Sequence, residues 1–285
     1  MRTYATATAF RRALEDRLTA LARSGNTDLQ RIRRQVAFDR LLVRLFARGN
    51  PPWLLKGGYA LELKLDLARS TRDLDLGLAA WLESDADMLE ALQAAVASDI
   101  GDWFRYVIGE PTMDLEGAPY GGSRYPVEAR LDGRPFTKFH LDIGLGDIQR
   151  EPVEWTEARD WLGFAGIEPG RFPSISREEH FAQKLHAYTM PRGERLNSRV
   201  KDLVDLVLLI ESGSLNPDRL KRDVLHTFRR RGSHDVPGQL EAPPEFWAPV
   251  FAKLAEECRI DSDISAQFKR VANFYDAVLG EQGSD

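Results

Sequence analysis

The stretch from 53 to 78, WLLKGGYALELKLDLARSTRDLDLGL, constrains the fold more than any other part of the chain. A short apolar run, Trp53 to Leu55, meets Lys56-Gly57-Gly58, and the paired glycines let the chain turn tightly and bring main-chain amides close to an anion. A short helix follows, then a run in which polar and apolar residues alternate as on a half-buried strand. On such a strand Thr71, Asp73, Asp75 and Gly77 share one face, and Arg72, Leu74, Leu76 and Leu78 the other. Asp73 and Asp75 then stand roughly 7 Å apart at Cα. Carboxylates so placed can converge on divalent cations, and Mg²⁺ is typically held by one or two carboxylates plus phosphate oxygens. Asp is scarce in strands, so its repetition beside a Leu face points to chemistry rather than to solvation. A glycine turn for phosphates and an acidic strand for metal suit phosphoryl transfer, which needs positioning and charge neutralisation more than covalent chemistry.

Before this stretch, residues 7–23 and 28–48 have apolar residues at helical spacing, and the basic run Arg31, Arg33, Arg34 reads as a solvated helix face. After it, Phe104–Ile108, Val127–Leu131 and Phe136–Ile143 read as strands, with Asp132-Gly133 as a hairpin turn. In the last of these Thr137, Phe139, Leu141 and Ile143 line one face, which leaves Lys138, His140, Asp142 and Gly144 on the other. Asp142 repeats the geometry of Asp73 and Asp75. A carboxylate there could act as a general base if it lies within hydrogen-bond reach of an attacking hydroxyl. No second histidine at ligand spacing accompanies His140, which reads as a neighbour in the cleft.

Residues 150–175 read as a loop-rich connection, with a domain boundary near 170. Helices follow. Ser176-x-x-Glu179 is a capping box, and Lys184 sits about two turns into the helix that it opens. The next helix, 198–211, is apolar nearly all round yet carries Asp202 and Asp205, and buried acids need a cation; Lys184, Arg195 and Arg199 are the candidates. Helices over 217–231, 244–258 and 263–279 complete a bundle. Arg192, Arg195, Arg199, Lys201, Lys221, Arg222 and Arg229 to Arg231, interleaved with Tyr188, His226 and Phe228, suggest a surface that tracks an RNA backbone and stacks on its bases.

Composition narrows the class. At 285 residues the chain can bury a sizeable core, and its net charge of −5 confines any nucleic-acid contact to a local basic surface. No apolar run approaches the ~20 residues that span a bilayer, and residues 1–17 lack the apolar core of a signal peptide, so a cytoplasmic protein with no membrane partner is expected. A single cysteine, Cys258, excludes an intrachain disulfide and a cysteine zinc cluster.

The glycine pair with Arg69-x-Thr71-x-Asp73-Leu74-Asp75 resembles the signature of the DNA polymerase β nucleotidyltransferase superfamily. With Lys56, with Lys184-Leu185 followed by Thr189 and Arg192, and with Asp202-Leu203-x-Asp205, it resembles more narrowly the AbiEii/AbiGii toxin family, which includes the MenT toxins. Many superfamily members have Gly-Ser where this chain has Gly57-Gly58, so triphosphate contact here would rest more on amides. The resemblance implies an α/β (α+β) protein: a polymerase β-like nucleotidyltransferase core with a mixed sheet and N-terminal helices over 1–170, and a helical bundle over 171–285 that closes the active-site cleft. It implies a toxin of a bacterial toxin–antitoxin and phage-defence pair. Such an enzyme transfers a nucleoside monophosphate from a triphosphate to the 3′ end of tRNA and so blocks translation. Mg²⁺ or Mn²⁺ would be held by Asp73, Asp75 and Asp142, and the nucleotide by Lys56, Gly57, Gly58, Thr71, Lys184 and Arg192. Asp142 would assist deprotonation, and Asp202 with Asp205 would hold the cationic side. The expected partners are the triphosphate, tRNA and a cognate antitoxin, with the protein itself a monomer. Two alternatives stay open: nucleotidyl transfer to a protein hydroxyl or a small molecule, and a non-enzymatic module that binds RNA or a partner.

Overall fold

The computed structural model describes residues 4–47, 52–65, 68–78, 85–115, 118–146, 148, 153–191 and 199–280. Thr6 caps α1 (Ala7–Ser24) by accepting the Ala9 N–H, and Asp28 caps α2 (Leu29–Leu45) by accepting from Gln30. β1 (Trp53–Lys56) runs through the glycine turn into α3 (Gly57–Lys64), and β2 (Asp73–Leu78) returns antiparallel to β1. α4 (Asp85–Val96) leads to β3 (Phe104–Ile108), β4 (Met113–Asp114) and a long hairpin, β5 (Gly122–Leu131) and β6 (Arg134–Leu145). Its turn is Asp132-Gly133, both residues at positive φ, 54° and 69°. β7 (Glu154–Glu157) and β8 (Arg171–Ser174) follow, then α5 (Arg177–Thr189), α6 (Val200–Glu211), α7 (Pro217–Arg231), α8 (Ala248–Cys258) and α9 (Ile264–Leu279).

The strands form one mixed sheet in the order β3-β5-β6-β2-β1-β8-β7, with β4 paired to β5. β2 is parallel to β6 and β1 to β8; the other pairs are antiparallel. Two features differ from expectation. The segment 150–175 contributes β7 and β8 rather than loop alone; strands of four residues are too short to show a period, and β8 contains Pro173. β5 also begins at Gly122, five residues before the expected Val127, because Pro126 lies within it. The Gly109 N–H donates to the Pro126 carbonyl, so both main-chain groups of Pro126 face β3. The missing donor thus falls just past Ile108, where β3 has ended.

Contacts divide the chain into two units: residues 1–63, 70–146 and 153–174, and residues 64–69, 147–152 and 175–285. In the first, α2 packs against the sheet, and Phe38 meets Phe139 of β6 and Tyr59 of α3 edge to face at 4.8 and 4.9 Å. Leu74, Leu76 and Leu78 of β2, Leu141 and Ile143 of β6, and Tyr125, Val127 and Ala129 of β5 are buried. Asp73, Asp75, His140, Asp142 and Arg124 are thereby left to the opposite face. The end of α2 is tied down by Arg44, which grips Asp102 at 2.6 and 2.9 Å, and by Arg40 at 2.7 Å. In the second unit, α6 is enclosed by its partners, with residues from Val200 to Leu209 almost all buried. Among the described residues no helix is long and apolar enough to cross a membrane.

A buried acid anchors the glycine turn. Asp39 of α2 accepts from the Tyr59 hydroxyl at 2.5 Å and from Trp161 Nε1 at 2.8 Å, and Tyr59 is the residue after Gly58. Burial pushes the Asp39 pKa up to about 7, although both hydrogen bonds and the charges of Arg40 and Arg159 oppose it. The folded state therefore binds more protons than the unfolded chain between pH ~4 and 7, so stability falls as pH rises through that window. Asp39→Asn should remove the slope: its melting temperature relative to wild type should be higher at pH 8 than at pH 4.5. At about 1.4 kcal/mol per pKa unit the swing is a few kcal/mol. A difference in melting temperature that is the same at both pH values would contradict the assignment.

Candidate active site

Strand register builds the acidic site. Lys56 of β1 pairs with Asp75 of β2, Asp75 with Asp142 of β6, and Asp142 with Arg124 of β5, so a row of charges (+, −, −, +) crosses four strands. Two residues along the same face of β2, Asp73 pairs with His140, and His140 with Pro126. Asp142 thus stands beside Asp75, on the strand face that alternation gave it.

Carboxylates this close repel one another, and the Arg124 guanidinium offsets it. Arg124 forms a bidentate pair with Asp142, Nε–Oδ1 at 2.8 Å and Nη2–Oδ2 at 2.6 Å, and reaches Asp73 Oδ2 at 3.4 Å. Its pKa is raised chiefly by the hydrogen bonds to Asp142; burial opposes, and the charges of Asp142, Asp73 and Asp75 add to the rise. His140 Nδ1 lies 3.1 Å from Asp73 Oδ1. Arg124 was not among the expected site residues. Its signal was present in Arg124-x-Pro126-x-Glu128, an alternation that Pro126 disguised by arguing against a strand.

Gly57 is fixed on two counts. Its φ is +67°, and a Cβ would fall 2.0 Å from Asp75 Oδ2. The Asp75 carboxylate fills the space that a side chain would need, so the turn and the acid are in direct contact. Gly58 is buried in the first turn of α3. Thr71 serves local structure: its N–H donates to Glu62 Oε1 at 2.7 Å and its hydroxyl to the Asp73 carbonyl at 3.2 Å. Glu62, also missed by sequence reasoning, is 3% exposed and accepts from Gln35 at 2.5 Å and Arg31 at 3.2 Å. One buried carboxylate of α3 thereby fixes the start of the acidic strand.

The second unit holds a constellation of its own. Lys184 Nζ lies 3.1 Å from Asp202 Oδ1 and 2.8 Å from Asp205 Oδ2, as the spacing of the acids suggested. Arg69 completes it with Nε–Oδ1 at 2.9 Å and Nη2–Oδ2 at 2.8 Å to Asp205, across 136 residues of sequence. Arg199 reaches Asp202 at 3.7 Å from a side chain that is 43% exposed. Two acids and two inner cations balance, which is what makes their burial tolerable. Burial alone would raise the Asp205 pKa, but Lys184 and Arg69 bring it down to about 2. Burial lowers the Lys184 pKa, and Asp205 and Asp202 outweigh it, so the ammonium is held charged. Arg192 and Arg195 lie outside the described residues.

Of the three rings expected to stack on RNA, His226 is half-buried and the other two are not available for it. Tyr188 and Phe228 are 5% and 3% exposed, and the Tyr188 hydroxyl donates to the Glu241 carbonyl at 2.7 Å. Phe228 belongs to the apolar stripe of α7 with Leu220 and Val224. Of the basic residues, Arg230 reaches the Ile148 carbonyl at 3.3 Å and Arg231 lies 3.3 Å from His186 Nδ1.

The balance of the inner cluster sets a stability test. Arg69→Ala should cost about 3–5 kcal/mol in urea unfolding, because it leaves two buried carboxylates with Lys184 as their one inner cation. Arg199→Ala, at the exposed rim, should cost less than ~1 kcal/mol. Equal effects would contradict the burial argument.

Among proteins with curated descriptions none matches this sequence. Among solved structures, MenT4, a nucleotidyltransferase toxin from Mycobacterium tuberculosis, superposes with a TM-score of 0.62 at 19% identity, covering 94% of this chain and 91% of its own. JHP933 from Helicobacter pylori gives a TM-score of 0.47 at 17% identity, covering 87% and 93%. The first likeness shows the fold. A family model described as nucleotidyl transferase AbiEii toxin, type IV toxin–antitoxin system, matches residues 40–273, which include both constellations. The chain therefore belongs to the AbiEii family of nucleotidyltransferase toxins of type IV toxin–antitoxin systems.

Proposed function

We propose that this chain transfers a nucleoside monophosphate from a nucleoside triphosphate to the 3′ end of tRNA, releasing pyrophosphate and blocking translation until a cognate antitoxin intervenes. The observation that carries the reading is the contact of Gly57 with Asp75 in a row that continues to Asp142. It supports the reading because the glycine turn, the acidic strand and Asp142 lie side by side, as seating phosphates, holding a metal and accepting a proton would require. The family supports nucleotidyl transfer and a toxin–antitoxin setting.

The donor set fits a hard divalent cation. Asp73 and Asp75 offer carboxylate oxygens from one strand face, which is what Mg²⁺ or Mn²⁺ takes together with phosphate oxygens. Among the described residues no cluster of three or more His, Cys, Asp or Glu side chains is gathered for a metal. Asp142 is instead held by Arg124. Asp73 and Asp75 would hold the cation, which when bound neutralises the phosphates and lowers the pKa of the attacking hydroxyl. Lys56 and the amides of Gly57 and Gly58 seat the triphosphate, and Thr71 keeps the loop before β2 in place through Glu62. Arg124 holds Asp142 in a bidentate pair; once the guanidinium turns away, the carboxylate is free to ligate or to accept the hydroxyl proton. Lys184, oriented by Asp202 and Asp205, supplies positive charge for the nucleotide.

The test uses purified protein, Mg²⁺, each α-labelled triphosphate in turn and cellular RNA. Wild type should label an RNase-sensitive band of tRNA size with one nucleotide, and Asp75→Asn should label it about 10²–10³-fold less. Equal labelling by the variant would overturn the metal assignment, and label on protein would move the acceptor to a side chain.

A further inference from the structure

Within the first unit a groove of about 660 Å³ extends from Asp73 over His140 and Lys138 of β6 and Pro126 of β5 to Val107 near the end of β3. Arg34 of α2 and Arg72, just before β2, also line it. Their neighbours on α2 are spoken for: Arg31 pairs with Glu62 at 3.2 Å and Arg33 with Glu15 at 2.5 Å. Among the described residues Arg34 and Arg72 form no ion pair. Arg34 Nε is buried without a hydrogen-bond partner. Burial lowers the Arg34 pKa, and the Arg72 charge lowers it further, while the charges of Asp28 and Glu62 oppose this in part. Two like charges that share a groove, one with an orphaned donor, form an arrangement that a bound anion would relieve. Glu128, also in the groove, does not serve: it is held by Lys138 at 2.9 Å and Arg130 at 2.5 Å.

The sheet order indicates which anion. β2 lies between β1, which carries the glycine turn, and β6, with β5 and β3 beyond it. The turn and the groove therefore flank the acidic strand on opposite sides. Nucleotidyl transfer is in line, with attacking and leaving oxygens on opposite sides of the reacting phosphorus. If the turn holds the triphosphate, the groove is on the side from which the acceptor comes. Val107 is 50% exposed and lies with Pro126 among the charges, the mixture of cation and apolar surface that suits unpaired nucleotides.

We propose that this groove takes the single-stranded 3′ end of the acceptor RNA, with Arg34 and Arg72 gripping a backbone phosphate upstream of the reacting hydroxyl and Val107 and Pro126 bedding a base. The assignment rests on the nucleotidyl-transfer reading and deepens it by naming which side of the sheet binds the acceptor and which residues hold it.

The experiment measures binding of a short 5′-fluorescein single-stranded RNA to the whole protein by anisotropy over a salt series. It compares wild type with Arg34→Ala, Arg72→Ala and the two Arg→Lys variants, beside labelling of RNA and the thermal shift given by triphosphate. Each Ala variant should weaken RNA binding about tenfold. Taking one arginine away from the phosphate should also reduce the slope of log affinity against log salt by roughly 0.7. The Lys variants should recover part of the affinity, since charge persists while the fork is gone, and the triphosphate shift should not move. Unchanged RNA affinity and slope in both Ala variants, with wild-type unfolding, would overturn the groove even if RNA is still labelled. Failure of wild type to label RNA counts instead against the transfer reading. Arginine dependence found only for a protein acceptor would make the occupant a polypeptide and overturn the RNA assignment.

Discussion

The parallel pairing of β2 with β6 is the constraint from which the acidic site follows. It brings Asp75 beside Asp142 and Asp73 beside His140, joining segments that are 67 residues apart in sequence. At the spacing of neighbouring strands, roughly 4.8 Å, bare carboxylates would repel, and the register also supplies what offsets them. Lys56 arrives from β1 and Arg124 from β5 in the same row. A slip of one residue would turn the acids into the leucine core, so the packing of Leu74, Leu76 and Ile143 fixes the chemistry as firmly as any contact among the charged groups.

Around that row, buried polar groups hold the parts still. Asp39 ties Tyr59, and hence the start of α3, to α2. Glu62 ties the far part of α3 to the Thr71 amide ahead of Asp73. The glycine turn and the acidic strand are therefore braced from both ends of one short helix. The second unit follows the same logic with charge balance: Arg69 and Lys184 against Asp202 and Asp205. Such a cluster contributes little net stability over an apolar core, yet it fixes the position and the charge of a lysine.

Patterns within one element were legible in the sequence. Alternation placed Asp73, Asp75 and Asp142 on their faces, and cap residues located α5 and α7. The spacing of Asp202 and Asp205 on an apolar helix called for a cation, and Lys184 is there. Pairings between distant segments left no such trace. Arg69 stands in the signature before Asp73, yet it is joined to Asp205 across 136 residues, and nothing local marks that pairing. Arg124 was hidden because Pro126 argued against a strand whose outer pairing happens to end where the missing N–H would be needed. Basic and aromatic residues on the C-terminal helices suggested an RNA surface, but composition does not say which side of a helix faces the core; Tyr188 and Phe228 face inward. Arg34, read as solvated, lines a groove that begins at Asp73.

The central claim is that the Gly57 turn and the Asp73–Asp75 strand form one triphosphate and metal site. A crystal structure of the protein with Mg²⁺ and a non-hydrolysable nucleoside triphosphate tests it most directly. The account predicts a cation about 2.0–2.1 Å from oxygens of Asp73 and Asp75, with phosphate oxygens against the amides of Gly57 and Gly58. A triphosphate seated away from the turn, or a cation touching neither carboxylate, would contradict it.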